Sequence, residues 1–297
     1  MADIELRFHR DMLVLSAPID YRLAERGVDV DADMEFMSLF EDDTVSDLLS
    51  MEQIAGAACL VTNTEGICRA RLAHRRMEDA AADIASSALA AATGLAPQHV
   101  ICAIGPCGLP LDPSDEASLE RTRAQYEGAV RAFGGAPFDA ILLDGMRTVH
   151  DMACAIAGAR RATDRPVFAS VTLGADGTFD GAPLENAASC MAAADVVGIR
   201  SSLGIDALTD AVATLARVCT QPLLVQIDVA QPTEAERRMR KLGRAIEGNP
   251  YPDPDSLADA AVALRAAGAQ FLRAVGEATP AYTGALAVVC AGAQSVR

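Results

Sequence analysis

The chain has 297 residues, a formal net charge of −16 and a pI near 4.6, and that charge repels phosphate backbones and anionic lipid, arguing against nucleic-acid or membrane-surface partners. The opening MADIELRFHRDM lacks the apolar run of a secretory signal, and no stretch reaches about 18 uninterrupted apolar residues, so a cytoplasmic protein is expected. Eight cysteines (59, 68, 102, 107, 154, 190, 219, 290) are scattered, several inside apolar runs, which speaks against a disulfide framework.

In chain order, Met12 to Ala17 is the first predicted strand, ending at Ser16, Pro18 and Asp20. An acidic stretch, Asp29 to Asp43, precedes a helix from Ser46 to about Gly56, with Ser46 as its expected N-cap. Ala58 to Thr62 is the second strand and ends in Asn63-Thr64-Glu65-Gly66. An Ala-rich helix from about Arg69 to Thr93 follows, closed by Gly94. The third strand, Val100 to Ile104, ends in Gly105-Pro106-Cys107-Gly108, and its helix spans about Glu116 to Phe133.

Strand four, Ala140 to Leu143, ends at Asp144-Gly145-Met146, with a helix from Val149 to about Ala162. Strand five, Val167 to Thr172, runs into a Gly-rich loop and a short helix, Leu184 to Ala193. Strand six lies in Asp195 to Gly204, ends at Arg200 and Ser201, and leads into a helix from Ile205 to Cys219. Strand seven, Leu223 to Ile227, ends at Asp228. The long connection after it carries Arg237, Arg238, Arg240, Lys241 and Arg244 beside Glu234, Glu236 and Glu247, a pattern suited to a solvated, salt-bridged helix or to a docking lid. A helix from Asp255 to Ala267, strand eight from Phe271 to Val275 ending in Gly276-Glu277, and a helix from Tyr282 to Ala291 complete the chain.

Strict alternation of eight strand-then-helix units predicts an α/β chain folded as a single-domain (β/α)8 TIM barrel over residues 1–297. A doubly wound open sheet competes, but no Gly-rich phosphate fingerprint follows the first strand. In a barrel the strand C-termini share one mouth. The expected site is therefore built from Ser16, Asp20, Asn63, Glu65, Cys107, Asp144, Thr172, Arg200, Ser201, Asp228 and Glu277, carboxylates plus one Arg that suit a small zwitterionic ligand. The four His (9, 74, 99, 150) read as surface residues.

Several segments, in order along the chain, resemble the homocysteine S-methyltransferase family. They are Val61-Thr62-Asn63-Thr64, Ile104-Gly105-Pro106 with Gly108, Phe168 to Thr172 with Asp176-Gly177 and Gly181, Val197-Gly198-Ile199 with Leu203-Gly204, and Ala267-Gly268-Ala269. That family includes the homocysteine-binding module of cobalamin-dependent methionine synthase. The resemblance implies a barrel in which three cysteine thiolates hold a zinc ion that activates the homocysteine thiol. This sequence departs at all three: Arg200-Ser201 stands where Asn-Cys is expected, and Val275 to Pro280 replaces the Gly-Gly-Cys-Cys stretch. Zinc is therefore not expected, and neither is a substitute thiolate site at Cys68 and Cys107.

What the resemblance implies for function is a methyltransferase-like barrel that is zinc-independent or acts on a substrate other than homocysteine, with Asp144, Arg200 and Glu277 as catalytic candidates. Asn63, Glu65, Cys107, Thr172, Ser201 and Asp228 are the substrate-binding candidates. A corrinoid or folate methyl donor could reach it through a partner such as a corrinoid protein, and the alternative is a non-catalytic subunit of a corrinoid-dependent system. Two finer expectations follow: Arg200 pairs with Glu277, and Asp144→Ala weakens ligand binding while leaving the fold intact.

Overall fold

Short runs of Val, Ile, Leu and Ala that stop at polar residues make eight parallel strands, each followed by helix. The computed structural model describes residues 3–242 and 248–297, with the backbone alone at 239–241. The strands are β1 (Leu13–Val14), β2 (Cys59–Val61), β3 (His99–Ile104), β4 (Ala140–Met146), β5 (Val167–Thr172), β6 (Val196–Ser201), β7 (Leu223–Val229) and β8 (Ala269–Gly276). They form one sheet in the order β1-β8-β7-β6-β5-β4-β3-β2. The β1 and β2 edges meet where Leu15 bridges Cys59 and the Ser16 N–H donates to the Cys59 carbonyl at 2.9 Å, so the ring closes as the predicted (β/α)8 barrel.

Side chains alternate along each strand, and the two faces form two cores. The outward face joins the helices in one large apolar cluster that includes Val14, Leu60, Val100, Ile141, Val167, Val197 and Leu272. The inward face is a separate cluster of Leu13, Leu15, Cys59, Val61, Ile101, Ala103, Ala140, Leu142, Phe168, Val196, Leu224 and Phe271. The N-terminal 3-10 turn Ile4–Arg7 plugs the barrel floor, with Ile4 buried in this inner cluster and the Phe8 ring 6.0 Å from those of Phe168 and Phe271. Above this apolar layer the inward positions turn polar: Asp144 above Leu142, Ser170 above Phe168, Gln226 above Leu224 and Arg273 above Phe271.

The structure corrects several local expectations. The helix read from Ser46 begins at Asp42, so Ser46 is internal and caps nothing. The helix read from Arg69 to Thr93 breaks into Arg69–Leu72, a 3-10 turn Ala73–Arg75 and Ala81–Gly94, because Arg76 takes a left-handed φ of 57°. Gly94 is the last helical residue, not the expected terminator beyond it. His99 is no surface residue: it lies wholly buried in β3, its Nδ1 3.6 Å from Asp139 Oδ1. In the connection after β7, a helix Glu234–Lys241 forms, with Arg237 and Arg238 exposed and Arg238 paired to Glu234, matching the solvated reading. Arg244 and Glu247 lie outside the described residues.

Helices Glu116–Ala132 and Val149–Ala162 are started by side chains that satisfy free N–H groups, Asp115 accepting from the Ala117 N–H and Thr148 from the Asp151 N–H. They meet closely at Gly158, where a Cβ would lie 2.4 Å from the Arg123 carbonyl oxygen and 2.8 Å from Tyr126 Cβ. Gly158→Ala is expected to lower stability by about 1–3 kcal/mol through overpacking. A urea midpoint equal to that of the wild type would contradict this backbone contact.

Candidate functional site

The polar layer is built around two arginines. Arg273, in the middle of β8, is 1% exposed. Its Nη1 donates to Asp144 Oδ2 at 2.7 Å and to Gln226 Oε1 at 3.0 Å, and its Nε donates to the Ser16 carbonyl at 2.9 Å. Gln226 in turn donates from Nε2 to Asp144 Oδ1 at 2.6 Å and to Ser170 Oγ at 2.8 Å. Asp144 is 2% exposed, and burying a carboxylate is costly unless donors such as Arg273 and Gln226 meet it. The second arginine, Arg200 on β6, is partly exposed and forks onto Asp228, with Nη2 at 2.8 Å from Oδ1 and Nε at 3.2 Å from both oxygens. Its Nη1 makes no hydrogen bond among the described residues.

Above these pairs opens a cavity of about 730 Å3. Glu65, Asp144, Gly145, Thr172, Arg200 and Asp228 line its depth, and Asp31, Glu35, Arg71, His74, Arg75 and Arg147 are among the residues around it. Glu65 Oε1 is 3.9 Å from Arg273 Nη2. Burial, reinforced by the negative charge of Asp144 and only partly offset by Arg273, pushes the Glu65 carboxyl up to about 7. Burial also raises Asp20 and Glu35; the Glu35 carboxylate lies so close to Gly66 that a Cβ there would be 1.9 Å from Oε1. Any side chain at Gly66 would have to displace that carboxylate.

Of the predicted site residues, Glu65, Asp144, Thr172, Arg200 and Asp228 converge on this cavity. The others do not line it. Asn63 is buried, its Oδ1 accepting from Ser38 Oγ at 2.8 Å and its Nδ2 donating to the Met34 carbonyl at 3.3 Å, so it ties down the acidic segment. Cys107 is buried in the outer apolar cluster, and its N–H donates to the Tyr126 hydroxyl at 3.0 Å. Ser201 is buried, with Oγ accepting from the Leu203 N–H at 3.1 Å. Glu277 is exposed and accepts from the Gln231 N–H. The expected Arg200–Glu277 pair is therefore replaced by Arg200–Asp228, because β7 carries Asp228 beside Arg200 while Glu277 turns to the β7 loop.

Arg273 and Gln226 were missed by looking only at strand ends. Both share the inward parity of the apolar residues two positions earlier, Phe271 and Leu224. An arginine at such a position in an otherwise apolar strand is the signal that could have found the first.

The donors do not fit a three-thiolate zinc centre. At the positions where the resemblance puts cysteines stand a capped Ser201 and an exposed Glu277, while the barrel axis holds two guanidinium groups. Cys68 and Cys107 are buried among apolar side chains, and burial raises both thiols, Cys68 well above the usual range. Among the described residues no three His, Cys, Asp or Glu side chains converge as a metal site.

A family model described as homocysteine S-methyltransferase matches residues 24–286. Three solved forms of the homocysteine methyltransferase MmuM from Escherichia coli share the fold. The metallated form aligns with a TM-score of 0.75 at 18% identity, the oxidized form with 0.74 at 19% and the apo form with 0.69 at 18%, each over 94% of this chain and 96% of the other. No curated protein sequence matches.

The buried pair gives Asp144 a structural role, so the expectation that its removal spares the fold is revised. Asp144→Ala leaves Arg273 buried and uncompensated and should cost about 3–5 kcal/mol, whereas the double change Asp144→Leu with Arg273→Met should recover most of that. Chemical denaturation decides: a single variant within about 0.5 kcal/mol of wild type would show that the pair is not holding the barrel.

Proposed function

The chain belongs to the homocysteine S-methyltransferase family, and from that premise we propose that it moves a methyl group onto a small, carboxylate-bearing acceptor without a thiolate-bound zinc. The observation that carries this reading is Glu65, a carboxyl raised to about 7 and facing a cavity whose floor is two arginine–carboxylate pairs. Homocysteine, the acceptor in the family's name, offers an α-carboxylate and a thiol, and a related amino-acid acceptor offers a carboxylate and a nucleophilic S–H or N–H group.

The unengaged Nη1 of Arg200 takes the acceptor carboxylate, and Asp228 holds the guanidinium plane in place for it. Glu65 then accepts the proton of the acceptor X–H as X forms its bond to the methyl carbon. The donor–methyl bond breaks with its electron pair staying on the donor. A base whose pKa lies near the working pH combines a useful ionised fraction with real proton affinity, which general catalysis needs. Arg273 touches no reacting atom in this scheme; it holds Asp144 and sets the field that Glu65 feels. The donor is a sulfonium or, through a partner protein, a corrinoid or folate methyl carrier.

The second reading, a non-catalytic subunit of a corrinoid-dependent system, is favoured by the departure at all three thiolate positions. Both are separated by one experiment. Chelator-treated protein is supplied with L-homocysteine and either S-adenosylmethionine or methylcobalamin, and methylated product is followed by mass spectrometry. Turnover that survives chelation, falls as pH drops below about 7, and declines about 10²- to 10⁴-fold in Glu65→Gln supports the enzyme. Turnover that needs added zinc contradicts it, and acceptor binding without turnover favours the subunit.

A further inference from the structure

Two arginines at the cavity mouth lack the bonded carboxylates that those on its floor have. Below, Arg200 pairs with Asp228 and Arg273 with Asp144, and at the rim Arg75 Nη2 lies 3.0 Å from Asp33 Oδ1. Arg71 and Arg147 line the same cavity, and neither guanidinium makes a hydrogen bond or close ion pair among the described residues. Arg71 is partly buried, its Cγ packed 3.3 Å from where a Cβ of Gly108 would stand, so its stem is seated against the β3 loop. The acids that share this opening with them are Asp31, exposed at the edge, Glu35 and Glu65. Burial raises the Glu35 and Glu65 carboxyls, Arg71 partly offsetting the rise at Glu35, while Asp31 stays exposed at the edge. In a chain of net charge −16, two guanidinium groups at one opening without a bonded carboxylate stand out.

The size of the cavity points the same way. At about 730 Å3 it falls among pockets that enclose drug-sized ligands, roughly 300–1,000 Å3, and exceeds what one small amino acid fills. Building on the reading of Arg200 as the acceptor's carboxylate anchor, we propose that the ligand of this cavity carries a second anionic group, a carboxylate or a phosphate, which Arg71 and Arg147 bind at the mouth. The acceptor is then a doubly anionic thiol or amine, an amino acid extended by an acidic group, and the two outer arginines select it over the bare amino acid.

The test is calorimetric titration at low ionic strength with two thiol probes differing by one acidic unit, L-cysteine and γ-L-glutamyl-L-cysteine. Wild type is expected to prefer the dipeptide by about tenfold or more, since hydrogen bonds to charged groups are the stronger class. In Arg71→Gln and Arg147→Gln that preference should collapse toward one, with thermal unfolding confirming that each variant is folded. No preference in wild type, or a preference kept in both variants, overturns the proposal. Arg200→Gln should weaken both probes alike; if it weakens neither, the acceptor-anchor reading fails on its own, because the outer site is judged by the ratio. Citrate and pyrophosphate, as competitors of the dipeptide, distinguish a carboxylate from a phosphate at the outer position by which displaces it at lower concentration, and failure of both counts against the site.

Discussion

One buried ion pair constrains this barrel more than any other contact. Arg273 and Asp144 stand on β8 and β4, which lie four strands apart in an eight-strand ring and so face each other across its axis. Neither charge could remain there alone, because desolvation of an unpaired ion costs several kcal/mol. Gln226 and Ser170 extend the set of partners, and the Ser16 carbonyl, just past β1, accepts from the guanidinium Nε. Five strands or strand ends are thereby held in one hydrogen-bonded layer above an apolar floor.

That layer determines the chemistry above it. Glu65 hangs over the pair at the end of β2, where burial and the charge of Asp144 raise its carboxyl toward neutrality while Arg273 keeps the rise finite. Arg200 shares the level of the layer, since Thr172, Arg200, Gln226 and Arg273 are in register across β5 to β8. A scaffold of this family that lacks the thiolates thus presents guanidinium groups and a carboxyl raised to about 7 at the mouth, the combination on which the proposed anion recognition and proton transfer rest.

The barrel was legible because the strand-and-helix alternation is regular and each unit is bounded by glycine, proline or a capping side chain, as at Thr148 and Gly268. The half of the site that sits at strand ends, Glu65, Asp144, Thr172, Arg200 and Asp228, followed from topology alone. What did not follow was depth. Arg273 lies inside an apolar run, and only the alternation with Phe271 marks it as facing the axis. Asn63, Cys107 and Ser201 also sit at strand ends, yet their side chains serve the loops that carry them, and sequence position does not reveal which partner a loop residue will choose. His99 was misplaced because the chain preceding β3 is already part of the strand, paired with Cys59.

The central claim, that burial above the Arg273–Asp144 layer, with the charge of Asp144, raises the Glu65 carboxyl to about 7, is tested most directly by the stability of wild type relative to Glu65→Gln across pH. A carboxyl at about 7 in the native state and near its model value of 4.5 when unfolded keeps its proton longer in the folded chain. Its favourable contribution is therefore complete at and below about pH 4.5 and is lost as pH rises through 7. The account predicts that wild type loses about 2 kcal/mol relative to the Gln variant between pH 5 and 7.5. A difference that stays flat over that range would contradict it.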